Sequence, residues 1–260
     1  LDRAGICEIK HIMNLYRLWD DLRAKYPDLI IDNCASGGRL LDVETCMRAI
    51  PLLRSDMCCR PSPLAMQNEV LMLSRYLPYH QGGSWEESAY STRSSFTTGI
   101  GTNFAFLTGI IDPEKERRSM VYVTQECHKA SELKYLGAFR PERVTAAMKD
   151  VLRLREYWNG DFTALTPPSD SKADWTAYAL HLAEEGRGVV LAFRREDAPD
   201  SFVIKLPEID PDQNYTLIFS DENLDEIKTT ISGKALSDGL CVTIDQAPGS
   251  LMIFYQAIDS

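Results

Sequence analysis

The strongest constraint on the fold is a change of hydrophobic period near residue 166 of the 260-residue chain. Ahead of it, short apolar runs alternate with stretches of helical spacing. "EIKHIMNLYRLWDDLRAK" (8–25) sets Ile9, Ile12, Met13, Tyr16, Trp19 and Leu22 on one stripe, the pattern of an amphipathic helix. Pro27 bars its continuation. "LIID" (29–32) reads as a short buried strand. "LDVETCMRAI" (41–50) reads as a helix with Asp42 near its start, and "LLRSD" (52–56) as a second strand ending in an acid. A helix over 64–75, an extended "YLPYH", a strand at "TNFAFLTGI", and helices over about 113–136 and 141–158 follow. "YSTRSSFTTG" fits neither period. Such alternation predicts βα units with a parallel sheet. Past "TPPSDS" (166–171), a candidate linker, the runs become short and rich in β-branched and aromatic residues. They predict an antiparallel β-sandwich, with "GVVLAFRREDA" and "GSLMIFYQA" as neighbouring strands.

Charge narrows the function classes. The formal net charge is -10. That balance argues against nucleic acid or an anionic membrane as a partner, since both require basic surface. No apolar run approaches the roughly 18 residues of a membrane span, and no signal-peptide pattern opens the chain. The seven cysteines are irregularly spaced, with no CxxC. Reduced thiols in a cytoplasmic setting fit that pattern better than a disulfide framework or a zinc site. The adjacent Cys58 and Cys59 leave redox or metal chemistry open beside plain packing.

In βα folds, chemistry gathers at the C-terminal ends of strands, and polar clusters stand at those positions here. "DNCASGG" places Asn33, Cys34 and Ser36 beside Gly37 and Gly38. Glycines allow positive φ or close approach of backbone to a ligand. The short polar side chains suit a hydroxyl-rich ligand. A phosphate cradle and a plain strand-to-helix turn stay open, although neither GxxxxGK[ST] nor GxGxxG is present. Asp56 stands at the next predicted strand end, where partial burial would suit a general acid; a helix cap or loop carboxylate is the alternative. His80 in "LPYHQGG" and Trp85 in "GGSWEES" are candidates for substrate contact, or for structural roles. Glu86 and Glu87 read as solvated. There is no HExxH and no G-x-S-x-G.

"DNCASGGRLLDVETCMRAIPLLRSD", continuing through "LPYHQGG" and preceded by "DRAGICEIKHIMNLYRLWDDLRAKYP", resembles the α-galactosidases of glycoside hydrolase family 36. The resemblance covers roughly residues 1–110. It implies a (β/α)8 barrel followed by an antiparallel β-sandwich, with residues 1–165 as the second half of the barrel and 166–260 as the sandwich. It also implies retaining hydrolysis of terminal α-galactosides by two carboxylates, with no metal or organic cofactor. The family's acid/base Asp matches Asp56, and its galactose-contacting Cys, Ser and Gly match Cys34, Ser36 and Gly37. Asn33, Gly38, Arg39 and His80 join them as substrate-binding candidates. Many members read Gly-Gly-Gly-Arg where this chain has Gly37-Gly38-Arg39-Leu40. The nucleophilic Asp should lie one βα unit earlier, upstream of Leu1, so the chain is expected to be a C-terminal fragment and inactive alone. α-N-acetylgalactosaminidase activity and a non-catalytic sugar-binding module are the alternatives. Family members often form homo-oligomers, though no residue here shows it.

Overall fold

The structure, a computed structural model, describes residues 3–34, 37–51, 53–59, 62–84, 88–97, 100–102 and 141–258. The chain divides into two compact units, Leu1–Asp56 and Met57–Ser260.

In the first unit, α1 (Ile6–Lys25) is followed by β1 (Asp32–Asn33), α2 (Val43–Cys46) and β2 (Ile50–Pro51). β1 and β2 pair in parallel, Asp32 opposite Ile50 and Asn33 opposite Pro51. Asp42 caps α2, its carboxylate accepting from the Thr45 N–H at 2.9 Å and the Thr45 hydroxyl at 2.7 Å. Those bonds, the hydroxyl's first, hold its pKa below the usual carboxylate value. Tyr16 ties α1 to this turn through a 3.2 Å hydroxyl contact with Thr45, and the Arg48 guanidinium lies over the Tyr16 ring.

Several expectations shift here. The first strand forms at Asp32–Asn33 rather than 29–32. The second forms at Ile50–Pro51, ahead of "LLRSD", and Asp56 begins a 3-10 turn, Asp56–Cys59, instead of closing a strand. The cause is the glycine turn: Gly37 and Gly38 pack on Asp56 and Arg54, so that stretch faces a turn rather than a neighbouring strand. The helix expected over 41–50 is only Val43–Cys46. α1 covers the predicted 8–25 and starts two residues earlier, but its apolar stripe is not covered, and Ile9 and Met13 are more than half exposed.

In the second unit, α3 (Pro63–Leu73), β3 (Gly82–Ser84), α4 (Ala89–Ser94), β4 (Ile100–Thr102) and α5 (Pro141–Leu154) lead into a β-rich region. β3 and β4 pair in parallel. "YLPYH" is not a strand; β3 begins two residues after it. The strand predicted at "TNFAFLTGI", beyond its first residue, and the helix predicted over 113–136 lie outside the described residues. The β-region comprises β5 (Asp161–Ala164), β6 (Trp175–Leu182), β7 (Arg187–Arg194), β8 (Ser201–Ile204), β9 (Asn214–Ser220), β10 (Glu226–Ser232), α6 (Gly233–Asp238), β11 (Leu240–Thr243) and β12 (Gly249–Ile258). Six strands form one antiparallel sheet in the order β10-β9-β12-β7-β6-β5, and β11 pairs with β8. The predicted neighbours β7 and β12 pair over eight residues, from Gly249 opposite Arg194 to Gln256 opposite Arg187.

The large sheet is buried on both faces. Ala177, Val190, Leu217 and Ile253 pack against Ile204 of β8, Val242 of β11 and Leu236 of α6. Tyr178, Leu191, Phe193 and Met252 pack on the other side against Val70 and Leu71 of α3, Tyr90 of α4 and Leu154 of α5. This two-sided burial explains why β6, β7 and β12 are near-continuous apolar runs rather than alternating ones.

Buried polar groups fix the helices on the sheet. The Arg93 guanidinium, fully buried on α4, pairs with Asp150 of α5 at 2.8 Å. It also donates to the Ser220 and Asp221 carbonyls at the end of β9, both at 2.9 Å. Glu222 accepts from the Tyr90 N–H and from both the N–H and the hydroxyl of Ser250, and burial raises its pKa. "YSTRSS" is therefore a short helix whose polar side chains face protein, which is why neither apolar period describes it. The segment 166–171 is likewise no free tether. Arg195, fully buried, donates to the Ser169 and Ser171 carbonyls and to Gln67 of α3, while Asn68 binds Ser169. β5, which precedes that segment, already belongs to the large sheet.

Candidate active site

The glycine turn and Asp56 come together within the first unit. Gly37 has φ +72° and Gly38 φ +84°, the left-handed region that residues with a Cβ rarely enter. A Cβ on Gly37 would stand 2.8 Å from Asp56 Oδ2 and 2.9 Å from its Cγ. One on Gly38 would stand 2.5 Å from the Arg54 carbonyl oxygen. Both reasons for glycine therefore hold at once: the backbone takes a left-handed turn, and it lies flat against a carboxylate. The parallel pairing of β1 with β2 brings the two segments side by side, because each turn leaves the same end of its strand.

Asn33, the last residue of β1, is 6% exposed, and its side-chain Nδ2 has no hydrogen-bond partner among the described residues. A buried amide donor left open is uncommon, and a ligand or a water normally accounts for one. Cys34 is an exposed free thiol, and Arg39 is exposed. Asp56 is exposed rather than partly buried as expected, so its carboxylate is open to solvent and to any ligand on the turn. The surroundings of Ser36, Trp85, Glu86 and Glu87 lie outside the described residues, as do the side chains of Cys58 and Cys59.

His80 belongs to the second unit. Its ring is 2% exposed, with Nε2 at 2.9 Å from the Ser74 hydroxyl, and its carbonyl accepts from the Thr97 hydroxyl. Arg54 is a part of the turn that spacing did not single out. It is 2% exposed, and its carbonyl forms the floor beneath Gly38. No periodic signal marks it, since an arginine between a leucine and a serine, two residues before an acid, reads as surface.

Among the described residues, no group of three His, Cys, Asp or Glu side chains could hold a metal ion. No described helix is long and apolar enough to cross a membrane. The geometry offers an exposed carboxylate and a flat backbone surface beside it, with a buried, unpartnered amide donor at the end of β1; the carboxylate and backbone are suited to hydrogen bonding a hydroxylated ligand and exchanging a proton with it.

No family model matches the chain, and no curated protein matches it by sequence. Solved structures do match. An α-galactosidase from Lactobacillus brevis is 15% identical with a TM-score of 0.68, the match covering 100% of this chain and 33% of that one. The family 36 α-galactosidase AgaA of Geobacillus stearothermophilus, solved with raffinose, is 17% identical with a TM-score of 0.60, covering 94% and 31%. The galactosidase domain of the α-galactosidase–sucrose kinase AgaSK is 14% identical with a TM-score of 0.56, covering 98% and 32%. The chain spans about a third of the length of these proteins, and over that third it has the fold of glycoside hydrolase family 36 α-galactosidases.

Proposed function

We propose that the chain is part of a retaining glycosidase that removes terminal α-galactosyl groups from oligosaccharides, and that Asp56 is its acid/base. The observation that carries this reading is the contact of Gly37 with the Asp56 carboxylate. It puts a proton donor beside a backbone surface that a sugar ring can approach closely. The buried amide of Asn33, left without a partner among the described residues, supports it as a polar group at the end of β1 that the fold alone does not account for. Cys34, Gly38 and Arg39 continue the sugar-facing wall, Ser36 is assigned to it from the sequence motif alone, and the segment ahead of β5 belongs to the second half of a (β/α)8 barrel. The coverage of about a third of its neighbours' length supports a longer natural protein, whose preceding segment carries the nucleophile.

In the first step the nucleophilic carboxylate attacks the anomeric carbon as the glycosidic bond breaks. The Asp56 carboxyl gives its proton to the departing oxygen. In the second step the Asp56 carboxylate takes a proton from water, whose oxygen displaces the enzyme carboxylate and releases galactose with its configuration retained. Retention sets the two carboxyl groups roughly 5–5.5 Å apart. No cofactor is required, and a reducing cytoplasm suits the thiols.

The test compares substrates of different leaving-group quality in the full-length protein carrying Asp56→Asn. Turnover of raffinose should fall by about 10²–10⁴-fold, the usual contribution of a general acid. An aryl α-galactoside with an acidic phenol should lose far less in the galactosylation step. Equal losses on both substrates, or none, would reject Asp56 as the acid.

A further inference from the structure

β10 ends the large sheet on one side. It pairs with β9 over all seven of its residues without a bulge, and among the described residues no strand pairs with its other edge. A bare edge of that length invites another strand unless charge, proline or a bulge blunts it. β10 has no proline. Its Glu226 is tied to Arg153, and Lys228 stands on the opposite face from Ile227. Ile227 is 70% exposed. Beside this edge, between the large sheet and β11, lies a cavity of about 410 Å³. Ile227 and its cross-strand partner Phe219 give it an apolar wall. Asp221, Glu222, Asp225 and Asp245 also line it, and no lysine, arginine or histidine does. Two of these carboxylates are occupied, Glu222 by Tyr90 and Ser250, and Asp221 by the Asn223 and Asp225 N–H groups. Asp225 and Asp245 are exposed and form no ion pair among the described residues. Arg194 donates to the Ile244 and Asp245 carbonyls but does not line the cavity.

We propose that the β10 edge and this cavity together form a docking site for an extended segment of a partner protein that carries lysine or arginine. The segment joins the sheet through main-chain hydrogen bonds to β10. Every second side chain then falls on the Ile227 face. A lysine or arginine there lays its aliphatic stem on Ile227 and carries its charge to Asp225 or Asp245. The apolar wall, the two unpaired carboxylates and the absence of a lining cation select that chemistry together. An acidic segment would meet like charge, and a wholly apolar one would cover both carboxylates without a partner. The proposal does not depend on the assignment of Asp56.

The test measures fluorescence anisotropy of rhodamine-labelled, C-terminally amidated peptides mixed with the full-length protein. The probe is Thr-Lys-Val-Lys-Thr, whose lysines share one face of a strand. Thr-Glu-Val-Glu-Thr reverses the charge, and Thr-Lys-Pro-Lys-Thr keeps it but lacks the central N–H. The lysine peptide should bind saturably and the glutamate peptide should not bind. The proline peptide should bind about tenfold more weakly, the value of a lost main-chain bond and the strand geometry with it. The double variant Asp225→Asn, Asp245→Asn should weaken the lysine peptide by about three- to tenfold, the range of two exposed ion pairs. Ile227→Lys, which sets a cation in the groove, should weaken it by tenfold or more. All three positions are exposed, so the variants should keep the melting temperature of the wild type. No saturable binding of the lysine peptide, equal binding of either control peptide, or indifference to both variants would overturn the proposal. Self-association of the protein that Ile227→Lys abolishes would also overturn it, by showing that a second copy takes the edge.

Discussion

Gly37→Ala tests the join between the turn and the carboxylate. The new Cβ would stand 2.8 Å from Asp56 Oδ2, where ordinary contacts begin at 3.4 Å, so one of the two must retreat by about 0.6 Å. Asp56 is exposed and its carboxylate can swing outward, so relief is inexpensive. The cost in stability is then mainly that of an L-residue at φ +72°, about 1–2 kcal/mol. Activity should suffer more. A misplacement of about 1 Å costs on the order of 10²-fold, so a displacement near half of that should lower turnover by about tenfold. Gly38→Ala is the comparator. Its Cβ meets the Arg54 carbonyl at 2.5 Å, a backbone atom that cannot rotate away. An overpacking cost of about 1–3 kcal/mol adds to the same backbone strain, giving about 2–5 kcal/mol. Urea unfolding and turnover of an α-galactoside by the full-length protein separate the effects. Gly38→Ala should lose more stability, and Gly37→Ala more turnover per folded molecule. Unchanged turnover and stability in Gly37→Ala would show that Gly37 does not lie against the acid.

Further outcomes follow from the packing and the caps. Asp150→Ala leaves the Arg93 guanidinium buried without its carboxylate and should cost about 3–5 kcal/mol in chemical denaturation. Gly188→Ala drives a methyl group into the buried Tyr255 ring across β7 and β12 and should cost about 1–3 kcal/mol, with a lowered melting temperature. Asp42→Ala removes the α2 cap and should cost about 1 kcal/mol at neutral pH. Because the folded pKa of Asp42 is depressed, that stabilisation is present above the unfolded value of 3.8 and lost as pH falls through the folded one. The gap between wild type and variant should therefore close on acidification below about pH 4, and a constant gap would exclude the cap.

Much of the second unit was legible because its signals are local. The β-rich runs after residue 171 became strands, and β7 and β12 became partners, since continuous apolar segments have few other uses. The chain-wide break at 166–171 was misleading. Proline and serine mark a loop, but Arg195 sits 24 residues beyond Ser171, and only the folded chain brings its guanidinium to that loop. α4 was illegible for a similar reason: its serines and threonines bond the helix's own carbonyls, Ser84 and Gln67, and Arg93 bonds the end of β9, instead of showing an apolar face. At the site, two adjacent glycines announced an unusual turn, and both take positive φ. Spacing could not reveal that Asp56 lies against the first of them, nor that Arg54 lies beneath the second, because both contacts depend on the register of β1 with β2.

The central claim, that Asp56 supplies and retrieves the proton, is tested most directly by chemical rescue. The full-length protein carrying Asp56→Ala would be given an activated aryl α-galactoside with and without sodium azide. An acid/base variant still forms the galactosyl-enzyme, and azide, which needs no general base, then displaces the enzyme carboxylate. The account predicts faster turnover with azide and α-galactosyl azide as the product. The β-azide would mean that the nucleophile had been removed instead, and no azide product with undiminished hydrolysis would mean that Asp56 has no part in the chemistry.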